Sequence, residues 1–516
     1  MKLAIIPILF LFLISCNSIK INNQNLDQSL SIKKLHKDIH YTEKKLLELH
    51  PNLDWYISKD SLQNEFNQIK KGINTPLKPN ELFTRLAPTI ANIRQGHLTL
   101  YPLYKKYTKK DVKTFGKQKG IFSRFSYWVD DDNRLYIKEN KDRFLNIEPG
   151  TEILEINGEK IADLMNLYSA YVTGDGYNTT HKKYALARRW TALYYPEKGI
   201  FDSIKFKTKY KDEIKEFWAH RESIDQKKQK EETKKIHDSV NKKDNKNLHY
   251  NERLGEYNRE LKFLDSDSTI AYMKIRSFSG VHSSAFYKKS FNTIQQKKVK
   301  TLIIDVRDNL GGSLSEINNL YSYLTINKKN FTKKIKITNP SSIHKTNYFE
   351  RNTIFGKIMD VVLFPFAYLN NTLSVKKDNN GEYYFHYKFL NEIKEIKKDA
   401  YQGDLYFLIN GNSFSASSII TAKLKDDGRA ILVGEETGGA HNGTVAGRYS
   451  TQKLPHSKLV IPIGIMLIQP DVKFDENNKG VQPDVEIIPS KEDIFSKNDI
   501  VLQYVVERVK IENLLK

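Results

Sequence analysis

The stretch Asp404 to Gly439, DLYFLINGNSFSASSIITAKLKDDGRAILVGEETGG, decides the fold. Its opening run, Leu405 to Ile409, has the length and the flanks of a buried strand and stops at an Asn-Gly-Asn-Ser turn. A helix is predicted from about Ser415, with Ile419, Ile420, Ala422 and Leu424 as its apolar positions and Gly428 at its end. Ala430 to Val433 then reads as a second buried strand, so the unit is a βαβ crossover. A serine in the first turn of such a helix sits where backbone N–H groups are unpaired and the helix dipole favours negative charge, a place that suits a nucleophile. Serine is also a preferred N-cap, and Ser413, Ser415, Ser417 and Ser418 equally read as cap and small packing residues. The local stretch does not choose between the two.

A second stretch does. Thr301 to Leu314, TLIIDVRDNLGGSL, is again an apolar strand that ends in a polar turn, with Asp305, Arg307, Asn309 and the pair Gly311-Gly312. Paired glycines after a strand let backbone N–H groups face a ligand with no side chain in the way, as an oxyanion hole requires. Strand-D-x-R-x-N-x-G-G, then strand-N-x-x-S-x-S-A-S-x-I, then G-E-x-T-x-G, in that order, resembles the S41 family of serine peptidases, the C-terminal-processing and tricorn-core-like proteases, over Ile270 to Pro489. The resemblance implies an α/β fold: a βαβ-containing ClpP/crotonase-like protease core with an N-terminal helical domain and a PDZ-like β domain. It implies a peptidase that needs neither cofactor nor metal.

Outward from these motifs, residues 1–16 read as an export signal, with Lys2, the apolar Leu3 to Ile14 and an ending Leu-Ile-Ser-Cys similar to a bacterial lipobox. The apolar run is shorter than the ~20 residues that span a bilayer. Cys16 is therefore the expected lipidation site, and the chain is expected in the cell envelope as a periplasm-facing or surface lipoprotein, membrane-anchored through Cys16. Cys16 is the only cysteine, so the folded part can hold no disulfide and no cysteine-based metal site. The expected divisions are 17–29 as a polar tether, 30–105 as the helical domain and 106–219 as the PDZ-like β domain. A lysine-rich linker or insertion, 220–262, and the protease core, 263–516, follow, the core carrying an insertion at 327–400. A PDZ-like domain would take a peptide by adding it to a sheet edge; the alternative is a β module that only packs. Within the insertion, Ile354 to Leu369 is apolar and aromatic but is interrupted by Pro365, and reads as a lid, an interface or a membrane-surface helix. The formal charge of +22 comes without a nucleic-acid motif, so no nucleic-acid partner is expected.

A serine hydroxyl needs an adjacent base. By the resemblance, that base is either a lysine after the G-E-x-T-x-G turn or a histidine from the helical domain. The lysine position falls on Ala440, which disfavours the first solution; His441 beside it is a local alternative. The turn Gln95-Gly96-His97 resembles the histidine-bearing turn of tricorn-like members, with glutamine in the place of the acid. The resemblance thus implies Ser415 as nucleophile and His97 as base. It makes Glu476 the orienting acid, with Asp475 a competitor, and puts the oxyanion on amides of Gly311 or Gly312 and of Ala416. The substrate is then a polypeptide, cleaved by an endopeptidase or C-terminal-processing activity on exported proteins. The competing class is a peptide-binding lipoprotein of the same fold without turnover, to which Ser418, where many relatives carry glutamate, gives room.

Overall fold

The computed structural model describes residues 19–515 except 116–117, 142–144, 224–234, 236–238, 240–247, 252–254, 350, 352, 388–389 and 391–394. Cys16 with the signal segment, and most of the lysine-rich 220–262 stretch, lie outside the described residues.

Residues 19–27, expected as a tether, form a helix. Its polar face is used: the Asn22 and Asn23 amides donate to the carbonyls of Tyr104 and Lys106 at 2.9 and 2.8 Å. Three helices then build the N-terminal layer, α1 (Ile32–Leu49), α2 (Lys59–Gly72) and α3 (Pro79–Asn92). Leu35, Ile39, Leu46 and Leu49 recur at helical spacing on α1, and all four are buried. On the same buried face Asp38 accepts from the amides of His456 and Ser457 at 2.9 and 2.6 Å, which fastens α1 to the far end of the chain.

Next comes an antiparallel sheet of β1 (Phe125–Val129), β2 (Leu135–Asn140), β3 (Glu152–Ile156), β4 (Ser203–Tyr210) and β5 (Glu213–His220), in that order. The hairpin across Asp130 to Asn133 is as read from the turn residues. Helices α4 (Ile161–Ser169) and α5 (His181–Lys198) lie between β3 and β4 in the chain, and α5 packs on β1.

The protease core holds two sheets. The first has β6 (Arg259–Phe263), β7 (Ile270–Ile275), β8 (Thr301–Asp305), β12 (Asp404–Ile409), β13 (Ile431–Gly434) and β16 (Val485–Glu486) in that order, parallel from β7 onward. Helix α6 (Ser283–Gln296) crosses from β7 to β8, α7 (Leu314–Leu324) follows the glycine turn, and α9 (Ala416–Asp426) crosses from β12 to β13. Strands β8 and β12 are buried almost throughout, as parallel strands covered on both faces must be. The second sheet, antiparallel, runs β10 (Val375–Lys377), β11 (Tyr383–Phe385), β9 (Ile335–Ile337), β15 (Val460–Ile468) and β14 (Thr444–Lys453). Three of its strands belong to the 327–400 insertion. The insertion also holds α8 (Ile354–Ser374), which continues through Pro365 instead of stopping there. Helix α10 (Ile500–Leu515) covers the outer face of the first sheet through Val501, Val505 and Val509.

Candidate active site

Four serines stand at the start of α9, and their hydroxyls separate them. Ser413 donates to the Val306 carbonyl at 2.8 Å, Ser417 to the Asn309 carbonyl at 2.8 Å, and Ser418 to the Ser413 carbonyl at 3.2 Å. All three are buried packing residues. Ser415 is half-buried, its side chain caps no amide, and its backbone lies at φ +59°, ψ −118°. That conformation is strained for a residue with a Cβ, at roughly 1–3 kcal/mol, and such strain collects where function fixes a side chain.

The glycine turn lies directly against this serine. A Cβ on Gly311, whose φ is +98°, would stand 2.8 Å from both the Ala416 amide nitrogen and the Ser415 Cβ. Glycine is required here for close approach as well as for backbone sign. The Gly311 amide is not available as an oxyanion donor, because it donates to Asn309 Oδ1 at 2.9 Å. The amides of Gly312 and Ala416 make no hydrogen bond among the described residues, so these two are the ones open beside Ser415. Asn309 also donates to the Ile275 carbonyl, and Arg307 grips Asp305 and Asp499. Burial opposes the Asp305 charge, but Lys274 and Arg307 hold its carboxyl well below the usual range, so it braces the turn as an anion.

His97 arrives from the other end of the chain. Gly96 lets the turn press on Phe414, the residue before Ser415: a Cβ there would meet the phenyl ring at 2.6 Å. The His97 ring packs on the same phenyl with centroids 4.9 Å apart. Its Nδ1 lies 3.0 Å from the Tyr449 hydroxyl, and its Nε2 is buried with no partner among the described residues. Burial, with Arg189 nearby, lowers the His97 pKa to about 4. His97, Leu310, Phe414 and Tyr449 line one cavity of about 500 Å³, with Arg188 and Arg189 on its wall.

Glu476 does not reach this group. Its carboxylate accepts from Lys425 Nζ at 2.8 Å and its amide donates to His441 Nε2 at 3.3 Å. Asp475 is drawn the same way, 3.1 Å from His441 Nε2. A basic side chain in the last turn of α9 thus captures the acid expected beside His97. His441 is tied at both nitrogens, Nδ1 to the Lys479 carbonyl at 3.1 Å, which leaves it no lone pair for a serine proton. Ala440, at the position of a lysine base, is buried and apolar.

Three residues were missed. Asp175 accepts from the Gly96 amide at 2.7 Å and from Thr444 Oγ1 at 3.3 Å, and burial raises its pKa to about 7 against those hydrogen bonds. The sequence Gly174-Asp175-Gly176, an acid between turn-forming glycines, was the signal that could have marked it. Tyr449 sits on a strand with nothing in the sequence to single it out. His181 also stacks on Phe414, at 4.6 Å, and its Nδ1–H donates to the Gly411 carbonyl at 2.8 Å.

No curated protein matches the sequence. Among solved structures, mature CPAF has a TM-score of 0.56 at 17% identity over 90% of this chain and 94% of that one. Mature CPAF complexed with lactacystin has a TM-score of 0.59 at 17% identity over 94% and 99%. These likenesses extend the common fold well beyond the core, into the helical and β layers. Within the core, residues 269–487 match the model of peptidase family S41, which marks that part of the chain as a serine-peptidase core.

Proposed function

We propose that the chain cleaves peptide bonds of exported polypeptides through an acyl-enzyme on Ser415, with His97 as base and the Tyr449 hydroxyl where an orienting acid would stand. The observation that carries this reading is the sorting of the four serines: only Ser415 is half-exposed, uncommitted and strained, and the residue before it packs on His97. In this reading Nδ1–H donates to Tyr449 Oη and leaves the Nε2 lone pair to take the serine proton as Oγ attacks the carbonyl. The Gly312 and Ala416 amides receive the oxyanion, and His97 returns the proton to the leaving amine. Water then hydrolyses the ester. A base with a pKa of about 4 is deprotonated across neutral pH. Asp175, which does not touch the imidazole, is a positioning residue: it holds the Gly96 amide and with it the His97 turn.

Arg188 and Arg189 on the cavity wall support a C-terminal-processing specificity, since a guanidinium takes a terminal carboxylate in a two-pronged bond. The lipobox-like Cys16 supports an envelope lipoprotein, and radiolabelled palmitate should be lost in Cys16→Ala.

A fluorophosphonate probe tests the nucleophile. It should label the wild type and Ser413→Ala but not Ser415→Ala; labelling that survives in Ser415→Ala overturns the assignment, and a wild type that never reacts favours the binding-only reading. The pH profile tests the base. The acid limb of kcat/KM should have its midpoint near 4 and vanish with turnover in His97→Ala, whereas His181→Ala should retain turnover. Asp175→Asn should lower kcat more than it raises KM and remove any second inflection near pH 7. An unchanged profile would leave Asp175 a purely structural residue.

A further inference from the structure

Helix α8 is a surface element of unusual composition. Of its 21 residues only Lys357 and Asp360 are charged, and only Gly356 and Asn371 are buried. Its inner edge is fixed: Phe364 packs on Tyr348 and Phe349 at 5.1 and 5.5 Å, and Tyr368 stacks on His344 at 4.1 Å. Asn371 bridges Tyr348 Oη and Arg448 Nη1 at 2.6 and 2.7 Å. The opposite side, with Phe355, Ile358, Val362, Phe366, Leu369 and Leu373, is open; Phe355 is 74% and Phe366 71% exposed. Contiguous apolar surface of this kind on a soluble face marks a docking site.

What docks there is indicated by the ground beside it. The helix runs directly into β10, whose Lys376 and Lys377 share a groove of about 670 Å³ with Lys333 and Lys334. Tyr384 and His386 line the same groove, with Asp378 and Asp471 as its acids. Lys377 and Lys334 lie over the Tyr383 and Tyr384 rings at 5.6 and 5.5 Å, which keeps their ammonium groups near the surface of the sheet. An apolar helix face with a lysine groove and tyrosines at its foot matches the layering of an interface between acyl chains and anionic head groups. A second copy of the chain would bring like charge to that groove. Among the described residues no helix is long and apolar enough to cross a membrane, so the element lies on a surface and does not span it.

We propose that α8 and the Lys333–Lys377 groove dock the enzyme on an anionic lipid bilayer, the apolar face entering the head-group boundary and the lysines pairing with phosphates. Arg448, which Asn371 holds, precedes the Tyr449 that meets His97. The inner side of α8, behind the docked face, is thereby tied to the strand that carries Tyr449 into the active-site cavity.

The test uses the full chain as Cys16→Ala, so that any vesicle binding is independent of lipidation, and co-sedimentation with phosphatidylcholine vesicles with and without phosphatidylglycerol. The expected result is binding to the anionic vesicles that weakens with salt. Phe355→Asp with Phe366→Asp should reduce it by about tenfold or more. Lys376→Glu with Lys377→Glu should reduce binding to anionic vesicles alone, by a similar factor. Each variant should keep the melting temperature and soluble-peptide hydrolysis of its parent. Because sedimentation reads binding directly, a failure of the peptidase reading leaves this outcome unaffected. No binding by Cys16→Ala, or binding indifferent to the aspartates, overturns the proposal. So does a dimer in sedimentation velocity that the aspartates dissolve without changing lipid binding, which would assign the face to a second copy.

Discussion

Helices α9 and α8 both carry long apolar stretches, yet they occupy opposite environments. From Ala416 to Leu424 every residue of α9 is buried, even Ser417, Ser418 and Lys423. Along α8 nearly all side chains reach the surface. The difference lies in what covers them: α9 is enclosed by β13 and α7 inside the crossover, whereas α8 belongs to an insertion and rests along one edge, on His344, Tyr348, Phe349 and Arg448. Apolar composition therefore sets how much surface must be hidden, and connectivity sets whether the chain itself can hide it.

The largest contrast is in turnover. Ser415→Ala should reduce kcat by roughly 10⁴-fold or more, while Phe366→Asp on α8 should leave hydrolysis of a soluble peptide unchanged. A Phe366 variant that loses turnover on such a peptide would make α8 a lid and not a docking face. In stability the contrast is Ile420→Ala against Phe366→Ala. The first opens a core cavity and should lower unfolding free energy by about 2–5 kcal/mol. The second should stay within about 0.5 kcal/mol, both read from urea midpoints. A smaller effect has the opposite sign: Ser415→Gly releases the left-handed strain and should raise stability by about 1 kcal/mol while abolishing turnover.

A further contrast concerns pH. Burial lowers the folded pKa of His50, His97 and His181 from 6.5 to about 3, 4 and 3. Between those values and 6.5 the unfolded chain binds the extra protons, so stability rises with pH through that window and is lost as pH falls. Asp175 works the other way: its folded pKa is raised from 3.8 to about 7, so its contribution is full below 3.8 and fades as pH climbs to 7. Three groups outweigh one, and the net slope from about pH 4 to 6.5 should be positive. Asp175→Asn should steepen it, and a slope left unaltered would contradict the buried acid.

Much of this was legible because the decisive chemistry is local. Strand, turn and helix from Leu405 to Gly428 are written in a period and its punctuation, and the glycine pair at 311–312 carries its own backbone signature. What the sequence concealed is held by long-range partners. Glu476 reads as a reasonable acid in sequence, but Lys425, on a helix face that spacing alone cannot orient, donates to its carboxylate and holds it elsewhere. Tyr449 meets His97 only because one residue lies on β14 and the other in the turn after α3. The 19–27 helix was hidden by its polar asparagines, whose bonds go to the Tyr104–Lys106 backbone. Pro365 read as a break, but an exposed, insertion-borne helix tolerates it.

The press of Gly96 on Phe414 has a consequence in time. The turn that carries His97 is synthesised early and Ser415 late, so a nascent chain that stops short of Ser415 cannot assemble the pair. The contacts that join them are of very high sequence separation and form late in folding. A peptidase is in this way kept inert while its own chain is incomplete, by the order in which its halves meet.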